Sequence, residues 1–428
     1  MNAPLRGRVL GVLREGPPRP VWPGSWGRTA LLVLTLPMFA GLFQYVIDAP
    51  VLYGLSKTWP VLVLPLTLIG ALKTKPGYQP LLLAALAWLL AVVPLISMAQ
   101  LGNDGFGALA TTAKIWPLSG ALAGAAGLNL LRPSGRELAR AAMILCGLTF
   151  AFLVGAWFLA PDAAFNGTIE TTKLFLTDIE RGRRINAPMM FGVLGLFVLN
   201  RSFWSRPATW KPVLIGLGLL AMVCIYKQRA QIAGTGLVLV LGAALSLGRW
   251  RGPALIGPAA AGLAALIPAL LWLQGGAAAE GLGGSLTMRQ TEAEAALRFL
   301  NDQPWRWITG VGSATRIGGV TLGDIVGTPF FFPSDLGWLG VVFEYGLIGA
   351  GLMLGLHLWA VRQAWRAAQG EGGEGGTLER ALFDYALFLI VVSPIVSVVL
   401  SPGELATVLA LGWWLRTPSA RPCAGSGS

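Results

Sequence analysis

The sequence predicts an all-α fold: a polytopic integral membrane helical bundle of about twelve transmembrane helices with one long periplasmic loop. Three observations carry this. Of 428 residues, 54% are hydrophobic and only 12% charged, against roughly 25% charged in a soluble domain. Apolar runs recur along the whole chain with no polar domain between them, although a single soluble core stops growing at about 250–300 residues. The basic residues stand in short clusters between those runs, where the positive-inside rule places them. One membrane domain is expected over 29–416, between a basic cytoplasmic N-terminus, 1–28, and a cytoplasmic tail, 417–428.

A spanning helix needs about 20 mostly apolar residues, because backbone polar groups in lipid must be satisfied within the segment. Arg6, Arg8, Arg14, Arg19 and Arg28 precede the first run, and no small-residue cleavage site follows it, so it reads as a retained helix. The expected spans are 29–47, 58–72, 78–99, 109–131, 139–160, 186–203, 211–227, 231–248, 253–273, 336–361, 381–400 and 403–416; the second, seventh and last are short. The loop charges check this independently. With the N-terminus inside, the inner loops carry Lys73 and Lys75; Arg132, Arg136 and Arg140; Arg201, Arg206 and Lys211; Arg249 and Arg251; Arg362, Arg366 and Arg380; and Arg416 and Arg421. Every one is basic, which places both termini in the cytoplasm. Glycine-rich Gly370 to Gly376, inside the cytoplasmic segment 362–380, reads as a flexible linker.

The net charge of +12 is therefore topological, and no nucleic-acid partner is expected. Cys146, Cys224 and Cys423 have neither zinc nor disulfide spacing. His357 is the lone histidine, which excludes a Ser/His/Asp triad at an outer site and a histidine-rich zinc site. Glycine-rich nucleotide motifs are missing, and no cofactor is expected. The chain has neither a clear internal repeat nor a pair of interrupted helices in matching halves, which counts against a secondary transporter.

Two outer segments stay basic against the topology bias. Residues 161–185 hold Lys173, Arg181, Arg183 and Arg184 beside Asp162, Glu170, Asp178 and Glu180; residues 274–335 hold Arg289, Arg298, Arg306 and Arg316 among six acidic residues. A loop as long as the second one usually carries function. Within it, 285–301 puts Leu286, Ala293, Leu297 and Leu300 at helical spacing opposite Arg289 and Glu292, an amphipathic helix with Arg298 placed near the Arg289 face. Pro304 ends that helix, and Gly310 to Gly327 reads as an irregular lid.

The candidate substrate-binding residues are cations at the outer face. Lys227 and Arg229 sit in the tight turn between the seventh and eighth spans, either as snorkelling ends or as a grip on phosphate; an arginine fork is bidentate to phosphate oxygens. Arg181 and Arg184 precede the sixth span, and Pro188 near that helix start leaves backbone donors facing an anion; contact with anionic membrane lipids is the alternative. Arg289 and Arg298 grip the substrate or simply solvate a helix face. Asp335, where the long loop re-enters the membrane, is a helix cap or a catalytic carboxylate. Glu344, about two turns further, is costly in a membrane helix unless it meets a polar cavity or an arginine.

Across about residues 180–360 the chain resembles the O-antigen ligase and O-antigen polymerase superfamily. Arg184-Ile185-Asn186-Ala187-Pro188 is similar to that family's arginine-led helix entry, Gln228-Arg229-Ala230 to its Ser-Arg-Gly segment, and Trp307-Ile308-Thr309-Gly310-Val311-Gly312 to its periplasmic Gly-x-Gly segment. The closest likeness is Pro333-Ser334-Asp335-Leu336-Gly337-Trp338-Leu339-Gly340 followed by Phe343-Glu344-Tyr345-Gly346-Leu347-Ile348-Gly349. Ligases of the family carry a histidine where this chain has Ser334-Asp335, which tilts the likeness toward a polysaccharide polymerase. The resemblance implies a metal-independent membrane glycosyltransferase that moves glycan from an undecaprenyl diphosphate-linked oligosaccharide to a lipid-linked acceptor at the periplasmic face, alongside other polysaccharide-assembly proteins. On that reading Arg184, Arg229 and Arg289 stabilise the leaving diphosphate, with Asp335, or alternatively Glu344, as base. A ligase, or a transporter (flippase) for the same precursors, is the alternative.

Overall fold

The computed structural model describes residues 24–166, 173–178, 182–247, 284–312, 322–327, 331–370, 376–397 and 401–417. In chain order the elements are α1 (Ser25–Phe39), α2 (Pro50–Thr74), α3 (Gln79–Leu101), α4 (Gly105–Thr111), α5 (Gly120–Leu131), α6 (Gly135–Leu159), β1 (Phe175–Asp178), β2 (Gly182–Ile185), α7 (Met190–Ser205), α8 (Trp210–Tyr226) and α9 (Arg229–Ser246). They continue as α10 (Gly284–Asn301), α11 (Trp305–Thr309), α12 (Leu322–Val326), α13 (Gly337–Gln369), α14 (Thr377–Val392) and α15 (Pro402–Arg416). The protein is an all-α helical membrane protein. Among the described residues five helices are long and apolar enough to cross a membrane: α2, α3, α6, α9, and α13 with the turn before it. The expected ninth span, 253–273, together with Arg181, Arg249, Arg251 and Arg316, lies outside the described residues.

Helix ends differ from the expected bounds for local reasons. α1 stops at Phe39, two residues past Pro37, rather than at 47. α2 starts at Pro50, where the missing proline N–H costs nothing. Its early start draws Lys57 two turns inside the helix. α6 starts at a reciprocal capping box between Ser134 and Glu137.

At the inner end, in the sense the loop charges predict, cations treated as loop markers are tied into the bundle. Arg201 is 5% exposed and Asp384 0%. Its guanidinium donates two bonds to that carboxylate, 2.7 and 2.6 Å, and a third, 2.7 Å, to the Gly242 carbonyl. One side chain thus joins α7, α9 and α14. The buried Lys211 ammonium caps the end of α7 by donating to the carbonyls of Ser202, 2.9 Å, and Arg206, 2.6 Å. Arg28 pairs with buried Glu137 at 3.0 Å.

Candidate functional site

At the outer end two helices are interrupted, and the breaks meet. The expected span 109–131 is not one helix: α4 ends at Thr111, and the 3-10 turns Thr112–Lys114 and Trp116–Ser119 precede α5. Pro117 can donate no backbone bond there. α13 opens at Gly346, whose φ of 68° and ψ of 178° are non-helical. The opening strands three carbonyls, and neighbours fill them. Val311 N–H donates to Phe343 O at 2.7 Å, Gly312 N–H to Glu344 O at 3.1 Å, and the Trp88 indole to Tyr345 O at 2.9 Å. Irregular backbone at membrane depth requires such compensation. A Cβ at Gly346 would lie 2.2 Å from the Ile308 carbonyl, so only glycine fits. Gly310 to Gly312 is thus docked against the helix rather than part of a loose lid; 313–321 lies outside the described residues, and α12 follows.

The two interruptions share an ion pair. Lys114 Nζ stands 2.6 Å from Glu344 Oε1, and 5.7 Å from the Tyr345 ring centre. Glu344 is 3% exposed. The polar partner expected for this carboxylate exists, but it is a lysine rather than an arginine. The two breaks, at 112–119 and at Gly346, do not stand in corresponding positions of two sequence halves; Lys114 and Pro117 inside the apolar run 109–131 are the local marks of the first.

Beside this pair lies a cavity of about 90 Å³. Its polar lining includes Tyr45, Lys57, Lys114, Tyr226, Gln231 and Glu404. Two hydrogen bonds fix it, and a cluster of like charges stands beside them. The Tyr385 hydroxyl donates to Glu404 at 2.7 Å and the Tyr226 hydroxyl to Gln231 at 2.7 Å, while Lys57 lies within Coulomb range of Lys114 and Lys173. Tyr226 ends the π-turn Met222–Tyr226, a local widening of α8 that turns its last residues toward the chamber.

The sequence-selected residues fall into two groups. Arg184 lies on β2, half-buried and within Coulomb range of Tyr226. The chain after it, Ala187-Pro188-Met189, walls the chamber. Gln228 donates to Asn186 at 3.0 Å, which brings the Arg184 segment beside Lys227 and Arg229. Lys227 adopts φ 56°, an unusual conformation for a lysine, and its ammonium lies 5.6 Å from the Trp157 ring centre. Arg229 is exposed at the first turn of α9. Neither Lys227 nor Arg229 lines the chamber itself.

The second group is Arg289, Glu292 and Asp335. Glu292 is 2% exposed and accepts the Phe332 N–H at 3.3 Å. Burial raises its carboxyl above the ordinary range, and the nearby Asp335 charge adds to this; the Phe332 bond and Arg289 act in the opposite sense. The amphipathic face is therefore rotated from expectation: Glu292, Ala295, Ala296 and Leu300 are buried, whereas Leu297 is 37% exposed. Arg298 is exposed and does not share the Arg289 face, since nine residues are two and a half turns. Asp335 is also exposed, in the 3-10 turn Pro333–Leu336, and it does not cap α13, whose cap position is Leu336. The motif around it is a docking device. Gly337, at φ 56°, would carry a Cβ 2.1 Å from the Pro394 carbonyl, and one at Gly340 would lie 1.8 Å from Pro333 O.

Sequence reasoning missed Lys57, Lys114 and Glu404. A lysine inside an apolar run was the available signal for Lys114. Glu404, two residues after Pro402, reads locally as an ordinary acid at a helix start. Compared with known proteins, the chain matches no family model and no curated relative.

Proposed function

We propose that this protein is a polysaccharide polymerase of the inner membrane, a chain of twelve spans with both termini cytoplasmic. It transfers glycan from an undecaprenyl diphosphate-linked donor to a lipid-linked acceptor at the periplasmic face. The observation that supports this is the outer-end chamber, where Lys57 and Lys114 face a polar cavity beside the Arg184 and Lys227–Arg229 segments. Departure of a diphosphate builds negative charge, and cations fixed in advance stabilise it best. The acceptor hydroxyl attacks the anomeric carbon, the carbon–oxygen bond to the diphosphate breaks, and the diphosphate leaves with the electron pair. Glu404, held by Tyr385 within the chamber, takes the hydroxyl proton, a role assigned from sequence to Asp335.

The test is reconstituted protein supplied with purified lipid-linked repeat units, read as product length. Long products from wild type, also after exhaustive chelation, are expected; no lengthening refutes the reading. In the same assay Arg229→Lys loses long product by about 10²–10³ in rate if the guanidinium fork holds an oxyanion, whereas Lys227→Arg retains it. Free replacement of Arg229 by lysine makes it a snorkelling residue only. The two interrupted helices favour a second reading, transport of the same precursors, because transporter sites are built at such breaks. Movement of unextended lipid-linked units between leaflets, without lengthening, would select it.

A further inference from the structure

Next to the chamber runs a second cavity of different character. It is a groove of about 300 Å³ between α1, α2, α5 and α15, and Phe39 belongs to the walls of both. The groove wall is hydrocarbon. Its two threonines turn their hydroxyls back on their own helices, Thr35 to Leu31 O and Thr407 to Gly403 O, each at 2.8 Å. The floor is the glycine face of α5. A Cβ at Gly120 would meet Trp59 at 2.8 Å, and one at Gly124 would meet Ala410 at 3.0 Å, so those two glycines admit neighbouring helices. At Gly127 a Cβ would meet nothing within 4 Å, so the small face continues there without a partner. Leu130, 45% exposed, marks the lateral rim.

We propose that this groove seats the hydrocarbon chain of the lipid-linked diphosphate whose head stands in the chamber, an inference that rests on the lipid-linked reading of the substrate. Apolarity alone does not choose an occupant, since bilayer tails are as apolar as the leucines of the wall. Charge chooses it. Lys57 stands at the end of the groove that Phe39 marks, with Lys173 and the Glu344-paired Lys114 in Coulomb range, and this cationic cluster complements a multiply charged phosphate head. A lipid held there by its head starts its chain at Phe39, and the groove leads away from that point. The remainder of a long chain leaves between α1 and α2.

The experiment uses the full-length protein in nanodiscs and a polyprenyl diphosphate carrying a diazirine along its chain. After irradiation, labelled peptides are quantified. Labelling is expected to concentrate on α5, with Gly127→Leu reducing it about tenfold by filling the groove, and with Lys57→Gln reducing it comparably through the head. Gly147→Leu, on α6 and equally free of neighbours, leaves it unchanged. Labelling spread over outward faces such as Val213, Leu217 and Leu220 of α8 overturns the proposal. So does equal labelling of α5 by a diazirine phosphatidylglycerol, which would make the groove a seat for bulk lipid. The readout is position rather than turnover: α5 labelling without chain lengthening keeps the groove and removes the transfer reaction, and lengthening with labelling elsewhere does the reverse.

Discussion

The two ends of the bundle handle charge in opposite ways. At the inner end the Arg201 guanidinium is met by a carboxylate, a backbone carbonyl and a serine hydroxyl, and Lys211 is met by two carbonyls and a hydroxyl. At the outer end Lys57 stands near other cations and beside a cavity. Charges of the first kind hold helices together, because a buried ion is tolerable only when its partners replace water. Lys57 is repelled by Lys173 and by Lys114, which Glu344 already pairs, and an anion would relieve that repulsion; on the proposed reading this makes the outer end the place for a ligand.

The contrast can be broken most forcefully at Asp384. Asp384→Ala leaves a buried guanidinium without its carboxylate, and about 3–5 kcal/mol of stability should be lost. Thermal denaturation in detergent measures this, and Arg201→Met combined with Asp384→Leu should recover most of it. A smaller loss is expected at Gly346. Alanine there adds the cost of about 1–3 kcal/mol for a backbone region essentially open to glycine alone to a collision with the Ile308 carbonyl. Limited proteolysis should then cut near Trp305–Thr309 faster than in wild type.

Lys57→Gln sharpens the comparison from the other side. It removes a repelled cation, so stability should change by no more than about 0.5 kcal/mol while polymer synthesis falls. Equal losses of stability and synthesis would make Lys57 structural, like Arg201. The smallest effect concerns Glu292. Its carboxyl titrates above the ordinary range when folded, so its contribution is full below the unfolded value and is lost as pH rises through the folded one. Glu292→Gln should therefore flatten the fall in stability that begins above the unfolded carboxyl value and ends above the folded one, read as unfolding midpoint against pH. An unchanged slope would remove Glu292 as its source.

Much of this was legible in the chain, and the exceptions share a cause. The apolar runs predicted helices at α3, α6 and α8 closely, since a run of that length has few other ways to satisfy its backbone in lipid. The cost of a carboxylate at Glu344 predicted a polar partner without naming Lys114, which is 230 residues away in sequence. The amphipathic phase of α10 was misread because Ala295 and Ala296 are weak markers of a buried face, and Glu292 is buried through a backbone bond from a distant segment.

The sequence by itself determined the all-α class, the membrane setting and the basic clusters between apolar runs, because each depends on composition and spacing within one stretch of chain. Tertiary structure alone decided that α13 opens at Gly346, where Val311, Gly312 and Trp88 supply the missing donors. It also decided that Lys57, Lys114 and Glu404 share one chamber. Whether a buried polar group is tolerated depends on partners brought by packing from remote segments, and hydropathy along the chain contains no term for them.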